Sequence, residues 1–393
     1  MSIPSPQQYR ITGQALCVDP IILKRATETV QRIAAKNSNI YPVLTLWHLS
    51  QLSGIHYGYL RKVVGRKIHP YTHFYLKKRT PGRNNVRMIS VPSVPLARVQ
   101  RWIVDNILRQ VPPHMDSYAY SPGSKPIFAA RIHTNSEWLL KIDIQDFFHA
   151  ITEREVYRVF EGLGYPRLLS FEMARICTMA CERPLMETGH QKREINMKIP
   201  YYKTILDGIL PQGAPTSPML SNLSVCNVDE QVSHLASSSN MRYTRYADDM
   251  NFSCSDRRER KEINQLKRSA LEVLNNNGFR PNLRKTKVLG PGARKVVLGM
   301  LVDSESPRLT KEFKDNIRLH LHFVQHPDIG PHKHALNRKT SISRIYHHLF
   351  GLICWAKEVE PEYGARCLRE FNSVPWPPVL RHHYFGGAGH SAE

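Results

Sequence analysis

The first 66 residues carry apolar side chains at helical spacing. In the stretches VDPIILKRATETVQRIAAK and LTLWHLSQLSGIHYGYLRKVV, apolar residues return every three or four positions, and breaks fall at Tyr41-Pro42 and Gly54. The pattern predicts a helical region over residues 1–66. Its second half has the spacing of a small helix-turn-helix, which we interpret as a packing bundle rather than a reader of nucleic acid.

A strand-like pattern replaces the helical one in YTHFYLKKRTPGRNNVRMISVPS. Aromatic residues are interspersed along its first half, a Pro-Gly pair follows the basic run that contains Lys77 and Lys78, and the return half carries Arg87. This pattern predicts a basic β-hairpin. Lysine and arginine are ordinary residues on turns, so a charged hairpin that only faces solvent is the alternative to a hairpin that binds a ligand.

Two adjacent carboxylates, Asp248 and Asp249, interrupt the strand-like stretch MRYTRYADDMNFSCS. Aspartate is depleted from strands and costly to bury without a partner. Residues that favour strands, such as Tyr246 and Phe252, lie on both sides, so the pair is predicted to lie where two strands turn back on each other. Taken alone, the pair is also compatible with a solvated turn.

A further carboxylate, Asp143, lies upstream in LLKIDIQDFFHAI. The apolar residues before it predict a short buried strand that ends at this aspartate. Together with Asp248 and Asp249 it would place three carboxylates over one edge of a sheet, and hard oxygen ligands of this kind suit Mg²⁺. Such a set can hold two Mg²⁺ ions about 3.5–4 Å apart, one activating an attacking hydroxyl group and one holding a leaving pyrophosphate.

Between these carboxylates, the stretch LPQGAPTSP predicts a tight turn with exposed backbone. Proline and glycine force the turn, and serine and threonine then open a helix. The apolar residues at helical spacing along this predicted helix are Leu220, Leu223, Val228 and Val232. A polar stretch without periodicity, residues 186–203, precedes the turn and is interpreted as a loop.

The charge balance indicates a polyanionic partner. Of the 393 residues, 55 are Lys or Arg and 33 are Asp or Glu, which gives a formal net charge of +22. No apolar run approaches the length of a membrane span, and the N-terminal stretch lacks the apolar segment of a secretory signal, so no membrane association is expected. The seven cysteines form no CxxC pair, which favours a reducing cytoplasm.

The C-terminal part of the sequence becomes helical and basic beyond Ser304. The segment GLICWAKEVEPEYGARCLREF has apolar residues that predict a small helical packing unit. The tail that follows it, PWPPVLRHHYFGGAGHSAE, is predicted to be poorly ordered.

A carboxylate strand, a Pro-Gln-Gly turn into a helix and a carboxylate hairpin, in that order, resemble the palm of a reverse transcriptase. The resemblance implies an α+β fold with right-hand polymerase architecture, made of fingers, a palm with an antiparallel sheet and a helical thumb, after an N-terminal helical extension. The predicted boundaries are 1–66 for the N-terminal helical region, 67–135 for the fingers, 136–302 for the palm with a fingers-like helical excursion at 152–205, and 303–393 for the thumb and C-terminal tail.

Several short spellings are similar to those of bacterial, retron-type reverse transcriptases. They are the opening Y..F.L.K into R.IS.P, the helix with Gln100-Arg101-Trp102, and LPQGAPTSP. The resemblance implies an RNA-directed DNA polymerase of the bacterial cytoplasm that uses dNTPs to copy a dedicated non-coding RNA, primed from a 2′-hydroxyl of that RNA. It also implies an RNA–DNA product that stays bound and a role in anti-phage defence with an effector protein partner.

The resemblance assigns roles around the predicted palm. The residues expected to be catalytic and to hold two Mg²⁺ ions are Asp143, Asp248 and Asp249. Phe148 is expected to lie beneath the sugar and to exclude a 2′-hydroxyl by size, and its alternative is a core residue beside Phe147. Gln212 is expected to position the nucleotide, and Gly213 to allow close backbone approach.

Basic residues are expected to contact the phosphates of the nucleotide. By resemblance, Arg87 and either Lys77 or Lys78 grip the incoming triphosphate. Lys285 or Lys287 is expected to protonate the leaving pyrophosphate, a role that lysine can fill. The alternative for the last two lysines is a basic stripe near a product groove.

Two signatures of the retron-type enzymes are changed in this chain. The segment Asn-Ala-x-x-His corresponds to residues 129–133, which keep Ala and His but lack Asn, and Val-Thr-Gly corresponds to residues 297–299, where Leu replaces Thr and removes a hydroxyl. By resemblance, the residues expected to bind RNA are Arg131, His133, Lys295 and Leu298. The changes leave open a non-retron defence-associated reverse transcriptase of the abortive-infection or group II intron-like lineage.

Two other classes of protein share parts of this pattern. One is an RNA-binding scaffold with a vestigial palm, and the intact carboxylates and Pro-Gln-Gly turn argue against it. The other is an RNA-templated RNA polymerase, and Phe148 argues against it because an enzyme that uses ribonucleotides prefers a smaller or polar residue there.

Overall fold

The structure of the protein is a computed structural model that describes residues 5–77, 86–180 and 208–378. The chain forms two compact units. The large unit comprises Met1–Ile132 and Glu137–Pro291, and the small unit comprises His133–Ser136 and Gly292–Glu393. Among the residues described, no helix is both long enough and apolar enough to cross a bilayer.

The N-terminal region of the large unit is helical, as predicted. Its helices within residues 5–66 are α1 (Pro6–Ala15), α2 (Pro20–Lys36), α3 (Leu46–Ser53) and α4 (Tyr57–Val64). The side chains of Ser5, Asp19 and Thr45 accept hydrogen bonds from the first turns of α1, α2 and α3, which fixes where these helices begin. Ile33 of α2 and Leu49 of α3 are fully buried in the hydrophobic core of the large unit, so these two helices are part of that core.

The predicted hairpin follows. Its strands are β1 (Tyr71–Lys77) and β2 (Val86–Pro92), which pair in antiparallel register, and its turn lies outside the described residues. Helix α5 (Val94–Asn106), a 3-10 helix (Leu108–Gln110) and helix α6 (Pro126–Ile132) then lead towards the main sheet.

The rest of the large unit alternates strands and helices. In chain order these are β3 (Trp138–Asp143), α7 (Phe147–Ala150), α8 (Glu153–Gly162), α9 (Arg167–Cys177), β4 (Met179–Ala180), β5 (Gly208–Ile209), α10 (Ser217–Ser224), α11 (Cys226–Ser238), β6 (Arg242–Tyr246), β7 (Asp249–Cys254), α12 (Arg260–Asn276) and β8 (Lys287–Leu289). The loop predicted at 186–203 lies between β4 and β5, outside the described residues.

Four of these strands form an antiparallel sheet in the order β6-β7-β3-β8. Leu140 and Ile142 of β3 pair with Phe252 and Met250 of β7, and all four side chains are buried in the core of the large unit. Alternate residues of a strand face opposite sides of the sheet, so this apolar face leaves the other face for polar residues. The antiparallel palm sheet implied by the sequence is therefore present.

The helix predicted after the Pro-Gln-Gly turn is wrong in one respect, because two helices occupy this stretch. The break falls at Val225, whose backbone (φ −102°, ψ 0°) departs from helical values between α10 and α11. Leu220, Val228 and Val232 are nevertheless buried in the same core. Helical spacing therefore continued across the break, and hydrophobic pattern alone could not reveal it.

The small unit contains a short sheet and a group of helices. They are β9 (Val296–Val297), β10 (Met300–Leu301), β11 (Arg308–Leu309), α13 (Lys311–Gln325), α14 (Gly330–Asn337), α15 (Ile342–Val359) and α16 (Pro361–Asn372). The sheet has the antiparallel order β11-β10-β9 and belongs to the same unit as the helices. The division between the units therefore falls after Pro291, whereas the predicted boundary between palm and thumb lies at 302/303.

The packing unit predicted near the C-terminal end is formed by α15 and α16. Ile353 of α15 and Phe371 of α16 are buried. Gly364 of α16 lies against the backbone of Lys357, and a Cβ at this position would collide with it. A glycine is therefore required for the close approach of these two helices.

Candidate active site

The β6–β7 hairpin carries Asp248 and Asp249 at its tip, as the sequence predicted. Ala247 has a left-handed backbone, with φ 57°, which turns the chain between the two strands. Asp249 pairs with Asp143 at the end of β3. The backbone N–H of Ile144 donates to the carbonyl oxygen of Asp248 over 3.0 Å. The three carboxylates predicted from separate stretches therefore lie at one edge of the sheet.

Burial and the negative charge of neighbouring carboxylates disfavour the charged forms of Asp248 and Asp249. Burial raises the pKa of Asp248, and the negative charges of Asp249 and Asp143 raise it further. Burial likewise raises the pKa of Asp249, against the opposing effect of Lys141, and Asp143 adds to the rise. A bound cation would relieve this crowding of like charges.

Asp143 is fixed by a turn that follows α12. The ammonium nitrogen of Lys285 lies 2.7 Å from its Oδ2, and the side-chain amide of Asn282 donates to its Oδ1 over 3.0 Å. The backbone N–H of Asn282 also donates to the carbonyl of Asp143 over 2.7 Å. Lys285, predicted to contact the nucleotide, thus contacts a carboxylate at the edge where the nucleotide is expected.

The lysines at this edge balance part of the negative charge. Burial acts to lower the pKa of Lys285, but its hydrogen bond to Asp143 and the charges of the aspartates outweigh burial and raise it. A raised pKa keeps the ammonium group charged and makes it a weaker acid. The contact with Asp143 therefore favours a role for Lys285 in neutralising negative charge, and donation of its proton to pyrophosphate stays a prediction. Lys287 of β8 is exposed and pairs with Lys141 of β3.

The chemistry of this edge fits Mg²⁺. Its donors are carboxylate oxygens, which a hard divalent ion prefers, and the pKa values of Asp248 and Asp249 are raised first by burial and then by the negative charges of neighbouring aspartates. Over residues 5–77, 86–180 and 208–378, no three Asp, Glu, His or Cys side chains already converge as ligands of one ion. An ion that bound here would compete with Lys285 for Asp143. The edge therefore matches an Mg²⁺ site in the chemistry and the position of its donors.

A cavity of about 720 Å³ opens beside the carboxylate edge. Its lining includes Asp248 and three of the residues predicted to bind the nucleotide, namely Arg87, Phe148 and Gln212. Tyr120, which the sequence did not single out, also lines it. Convergence of basic, aromatic and amide side chains on one cavity next to carboxylates is what a nucleotide requires.

Phe147 and Phe148 are adjacent in sequence but have different surroundings. Phe147 is 4% exposed, and its ring centre lies 6.2 Å from that of Phe279 in the core. Phe148 lines the cavity, with its ring centre 6.1 Å from that of Tyr120. Both residues line the cavity, but Phe147 is buried in the core whereas Phe148 is only half-buried, and selection of the sugar by Phe148 stays a prediction.

The Pro-Gln-Gly turn contacts the β1–β2 hairpin. The backbone N–H of Ser90 in β2 donates to the carbonyl of Gln212 over 2.7 Å. Gly213 has φ 120°, and a Cβ there would lie 2.9 Å from Cγ2 of Ile89 and 3.0 Å from the carbonyl oxygen of Ser90. Only glycine fits this site. The close approach seen here is to the hairpin, and approach to a nucleotide stays a prediction.

Of the three basic residues predicted to bind the triphosphate, the side chain of Arg87 is among those that the structure describes. Arg87 on β2 is exposed and lines the cavity. Lys78 and the side chain of Lys77 lie outside the described residues. Lys77 is nevertheless the last residue of β1 and pairs with Val86, so its backbone lies next to Arg87 in the hairpin.

The residues predicted to bind RNA differ in their exposure. Arg131 on α6 of the large unit is exposed, and Leu298 in the turn between β9 and β10 of the small unit is half-buried. His133 is fully buried, and Lys295 is 4% exposed with its ammonium group donating to the carbonyl of Ala293 over 3.2 Å. In this conformation the last two side chains are not available to a nucleic acid.

Three polar residues around the site were missed from the sequence. Arg245 lies on β6 at a position where the strand alternation calls for an apolar core residue, and it is fully buried. That mismatch was a signal that could have identified it. Asn282 and Tyr120 act through contacts between distant segments, and no local pattern marks them.

The antiparallel sheet with three carboxylates at one edge has the arrangement of a polymerase palm, and a cavity opens beside that edge. A family model described as reverse transcriptase (RNA-dependent DNA polymerase) matches residues 76–308, which is more than half of the chain. The protein therefore belongs to the reverse transcriptase family and is an RNA-directed DNA polymerase.

Proteins of similar sequence indicate which kind of reverse transcriptase this chain resembles. The reverse transcriptase of retron Ec86 from Escherichia coli is 26% identical over 349 residues, which cover 88% of this chain and 99% of that protein. The reverse transcriptase of retron Mx65 from Myxococcus xanthus is 27% identical over 304 residues, which cover 77% of this chain and 64% of that protein. A solved foamy viral protease–reverse transcriptase in complex with double-stranded DNA shares 15% identity with a TM-score of 0.38, covering 77% of this chain and 44% of that chain. The two bacterial relatives confirm the retron-type resemblance.

Proposed function

We propose that this reverse transcriptase copies a dedicated non-coding RNA into DNA as the enzyme of a bacterial retron. The observation that carries the proposal is the extent of the match to the Ec86 enzyme, which includes 88% of this chain and 99% of that protein. A likeness of that extent goes beyond the palm that reverse transcriptases share. The net charge of +22 supports a polyanionic partner, as RNA and its DNA copy would be.

In this proposal the catalytic residues are Asp143, Asp248 and Asp249, which hold two Mg²⁺ ions. When bound, the ions activate the attacking hydroxyl group and neutralise the departing pyrophosphate. The protein contributes the fixed positions of the ligands. Asp143 and Asp249 are held across paired strands, and Asp248 is held through the hydrogen bond from Ile144.

The cavity beside these carboxylates is proposed to bind the incoming dNTP. Arg87, helped by Lys77 or Lys78, would bind the triphosphate, since guanidinium groups suit phosphate oxygens. Phe148 would lie beneath the sugar, and Gln212, which also lines the cavity, would orient the nucleotide. The position of Arg87, Phe148 and Gln212 on one cavity supports these roles.

The proposal extends to the biological setting of the enzyme. The RNA–DNA product would stay bound and act with an effector protein in defence against phage. A phage plaque assay on bacteria that carry the native locus tests this part. Loss of protection in an Asp248→Asn strain is the expected result, and full protection in that strain would contradict a role for DNA synthesis in defence.

A second candidate is a defence-associated reverse transcriptase that works without a retron RNA. Leu298 favours it, because it replaces the threonine of the retron-type signature in a turn with φ 48° at Leu298 and 84° at Gly299. Leucine cannot donate a hydrogen bond to a phosphate or a 2′-hydroxyl at this turn.

Sequencing of copurified nucleic acid separates the two candidates. The protein is expressed from its native locus as wild type and as Asp248→Asn, and bound RNA and DNA are sequenced. A retron enzyme is expected to yield one RNA species with a complementary DNA in the wild type, and the RNA alone in the variant. DNA without a single matching RNA would favour the second candidate, and equal DNA from both proteins would contradict the catalytic assignment.

A further inference from the structure

Arg245 occupies an unusual place in the palm sheet. It lies on β6 opposite Met250 of β7, which in turn pairs with Ile142 of β3, and both of these partners are core residues. Arg245 is fully buried, and among the residues that the structure describes it is the largest side chain buried to this extent. A charge in such a place is costly unless every donor is used, so its contacts reveal what it does.

Two of its contacts form a buried ion pair with helix α11. Nε of Arg245 donates to Oδ1 of Asp229 over 2.7 Å, and Nη2 donates to Oδ2 over 2.6 Å, with both side chains 0% exposed. The hydroxyl of Tyr243 also donates to Oδ1 of Asp229 over 2.9 Å. Burial acts to lower the pKa of Arg245, but the charge and hydrogen bonds of Asp229 outweigh it and raise the pKa.

The remaining donors of Arg245 reach the turn between β6 and β7 that precedes Asp248, called the catalytic turn below, and two neighbouring side chains. Nη1 donates to the carbonyl oxygen of Ala247 over 3.1 Å and to Oδ1 of Asn222 over 3.2 Å, and Nη2 donates to Ser117 over 3.1 Å. Ala247 has the left-handed backbone that begins the turn, and the next residue is Asp248. The guanidinium group thus holds the peptide that precedes a proposed metal ligand.

The backbone of Arg245 holds the segment that leads to Tyr120. Its N–H donates to the carbonyl of Asp116, and its carbonyl accepts from the N–H of Tyr118, both over 2.8 Å. The side-chain amide of Asn222 donates to the carbonyl of Ala119 over 2.6 Å. Tyr120 follows directly, and its left-handed backbone (φ 63°) directs this short segment to the cavity that Asp248 also lines.

We propose that Arg245 is a positioning residue that sets the catalytic turn relative to the nucleotide cavity. It joins Asp229 of α11, the carbonyl of Ala247 and the segment 116–120 in one support. The proposal rests on the proposed function, in which Asp248 is a metal ligand. Arg245 itself contacts neither the metal nor the nucleotide, so its effect is transmitted through the peptide of Ala247.

Only arginine can make this set of contacts. Its planar guanidinium group carries five N–H donors in a fixed geometry. Here two of them bind the carboxylate of Asp229 in bidentate fashion, and another donates to the carbonyl of Ala247. Lysine keeps the charge but has a single ammonium group on a flexible chain. An Arg245→Lys enzyme should therefore retain the ion pair with Asp229 and lose the defined position of the turn.

The test compares Arg245→Lys with Arg242→Lys in the full-length protein. Arg242 is on the same strand, and its guanidinium group donates to Ser255 at the far end of the hairpin, so it is a matched control. We expect Arg245→Lys to lower kcat about 10- to 100-fold and to weaken Mn²⁺ binding, measured by electron paramagnetic resonance, by about tenfold. RNA binding should stay within about twofold of wild type in both variants, because each substitution keeps the positive charge and Arg245 is fully buried.

A second variant guards against a simple folding defect. Arg245→Met combined with Asp229→Leu removes both buried charges together, which is commonly neutral for stability when the replacements pack well. The double variant is expected to unfold near the wild-type temperature and still show the loss of kcat and Mn²⁺ affinity.

Two outcomes overturn the proposal, and a third concerns its basis. Wild-type kcat and Mn²⁺ affinity in a folded Arg245→Lys enzyme, or in the folded double variant, would show that Arg245 does not set the turn. An Asp248→Asn protein measured alongside gives the reference. If that protein kept wild-type Mn²⁺ affinity and activity, the proposed metal site itself would be wrong, whatever the Arg245 variants show.

Discussion

Each of the two units buries a polar cluster, and the two clusters solve the problem of burial differently. In the large unit, Arg245 and Asp229 are both charged, and bidentate hydrogen bonds pair them. In the small unit, His320 and His334 are 1% and 3% exposed, and Nδ1 of one lies 3.0 Å from Nε2 of the other. The first cluster keeps its charges and pairs them, whereas the second removes its charge.

The histidine pair is neutral for an electrostatic reason. Burial is the main cause that lowers the pKa of His320 to about 4, and the positive charge of Arg338 acts in the same direction, as would a positive charge on a neighbouring histidine. Burial also lowers the pKa of His334. A hydrogen bond between two ring nitrogens needs one donor and one acceptor, which a neutral ring can supply. Nε2 of His320 finds no partner among the described residues, so this cluster is less completely satisfied than the other.

This difference predicts which kind of change destabilises each unit. A buried pair of opposite charges depends on both members, because removal of one leaves a charge without a partner. A neutral pair tolerates loss of a member but is sensitive to protonation. The charged cluster contacts the carbonyl of Ala247 in the proposed catalytic turn. A change that disrupts this cluster is therefore expected to affect activity as well as stability.

The largest expected effect is a loss of activity without a loss of stability, at the carboxylate edge next to the charged cluster. Asp248→Asn removes a proposed metal ligand and should lower the rate of nucleotide incorporation by at least about 10³-fold. Because burial and neighbouring charges raise the pKa of Asp248, the charged form is disfavoured in the folded state, and the free energy of unfolding should stay unchanged or rise. Primer extension and denaturant unfolding measure the two quantities, and near wild-type extension would refute the site.

The next effect contrasts the two clusters directly. Asp229→Asn leaves the buried charge of Arg245 without its partner and should lower the free energy of unfolding by about 3–5 kcal/mol. His334→Gln removes one neutral hydrogen-bonding ring and should cost about 1 kcal/mol. Both variants are measured by urea unfolding at pH 7.5. Equal losses from the two variants would contradict the distinction between paired charge and neutral burial.

A third effect contrasts two adjacent rings near the charged cluster. Phe148→Ala opens the cavity wall and should reduce discrimination between deoxy- and ribonucleotides by about 10- to 1,000-fold, roughly 2–4 kcal/mol. Phe147→Ala is the paired variant and should mainly lower stability, by about 3–5 kcal/mol, because Phe147 is only 4% exposed and belongs to the core. Single-nucleotide incorporation on a primed RNA gives the ratio. An unchanged ratio in an active Phe148→Ala enzyme would make Phe148 a packing residue.

The smallest effect is the response of the neutral cluster to acid. His320 has a pKa of about 4 when folded, against an ordinary value near about 6.5 when unfolded, so the unfolded state binds more protons between these values. Stability should therefore be complete above about pH 6.5 and fall as the pH drops towards 4, by at most about 1.4 kcal/mol per pH unit. His320→Leu should flatten this dependence in urea unfolding at pH 7, 6 and 5. The same slope in wild type and variant would show that another group is responsible.

The local patterns of the chain predicted the elements that carry the chemistry. Aspartates in strand-forming stretches indicated the carboxylate hairpin and the strand before it, because local charge conflicts with strand propensity in any tertiary setting. Helical spacing likewise predicted the N-terminal helices, since an amphipathic face must be buried somewhere. Helical spacing failed at Val225, where two helices share one core and the chain bends without a change in pattern.

The sequence by itself determined the family, the three carboxylates and the order of the palm elements, because each is encoded in residues that are neighbours along the chain. Only the tertiary structure decided that Lys285 and Asn282 hold Asp143, that Phe147 is buried whereas Phe148 is half-buried at the cavity, and that His133 is buried. It also decided that Arg245 is paired, because Asp229, Ser117 and Asn222 come from other segments. Burial and hydrogen-bond pairing depend on which distant segments meet, and that information is absent from local sequence.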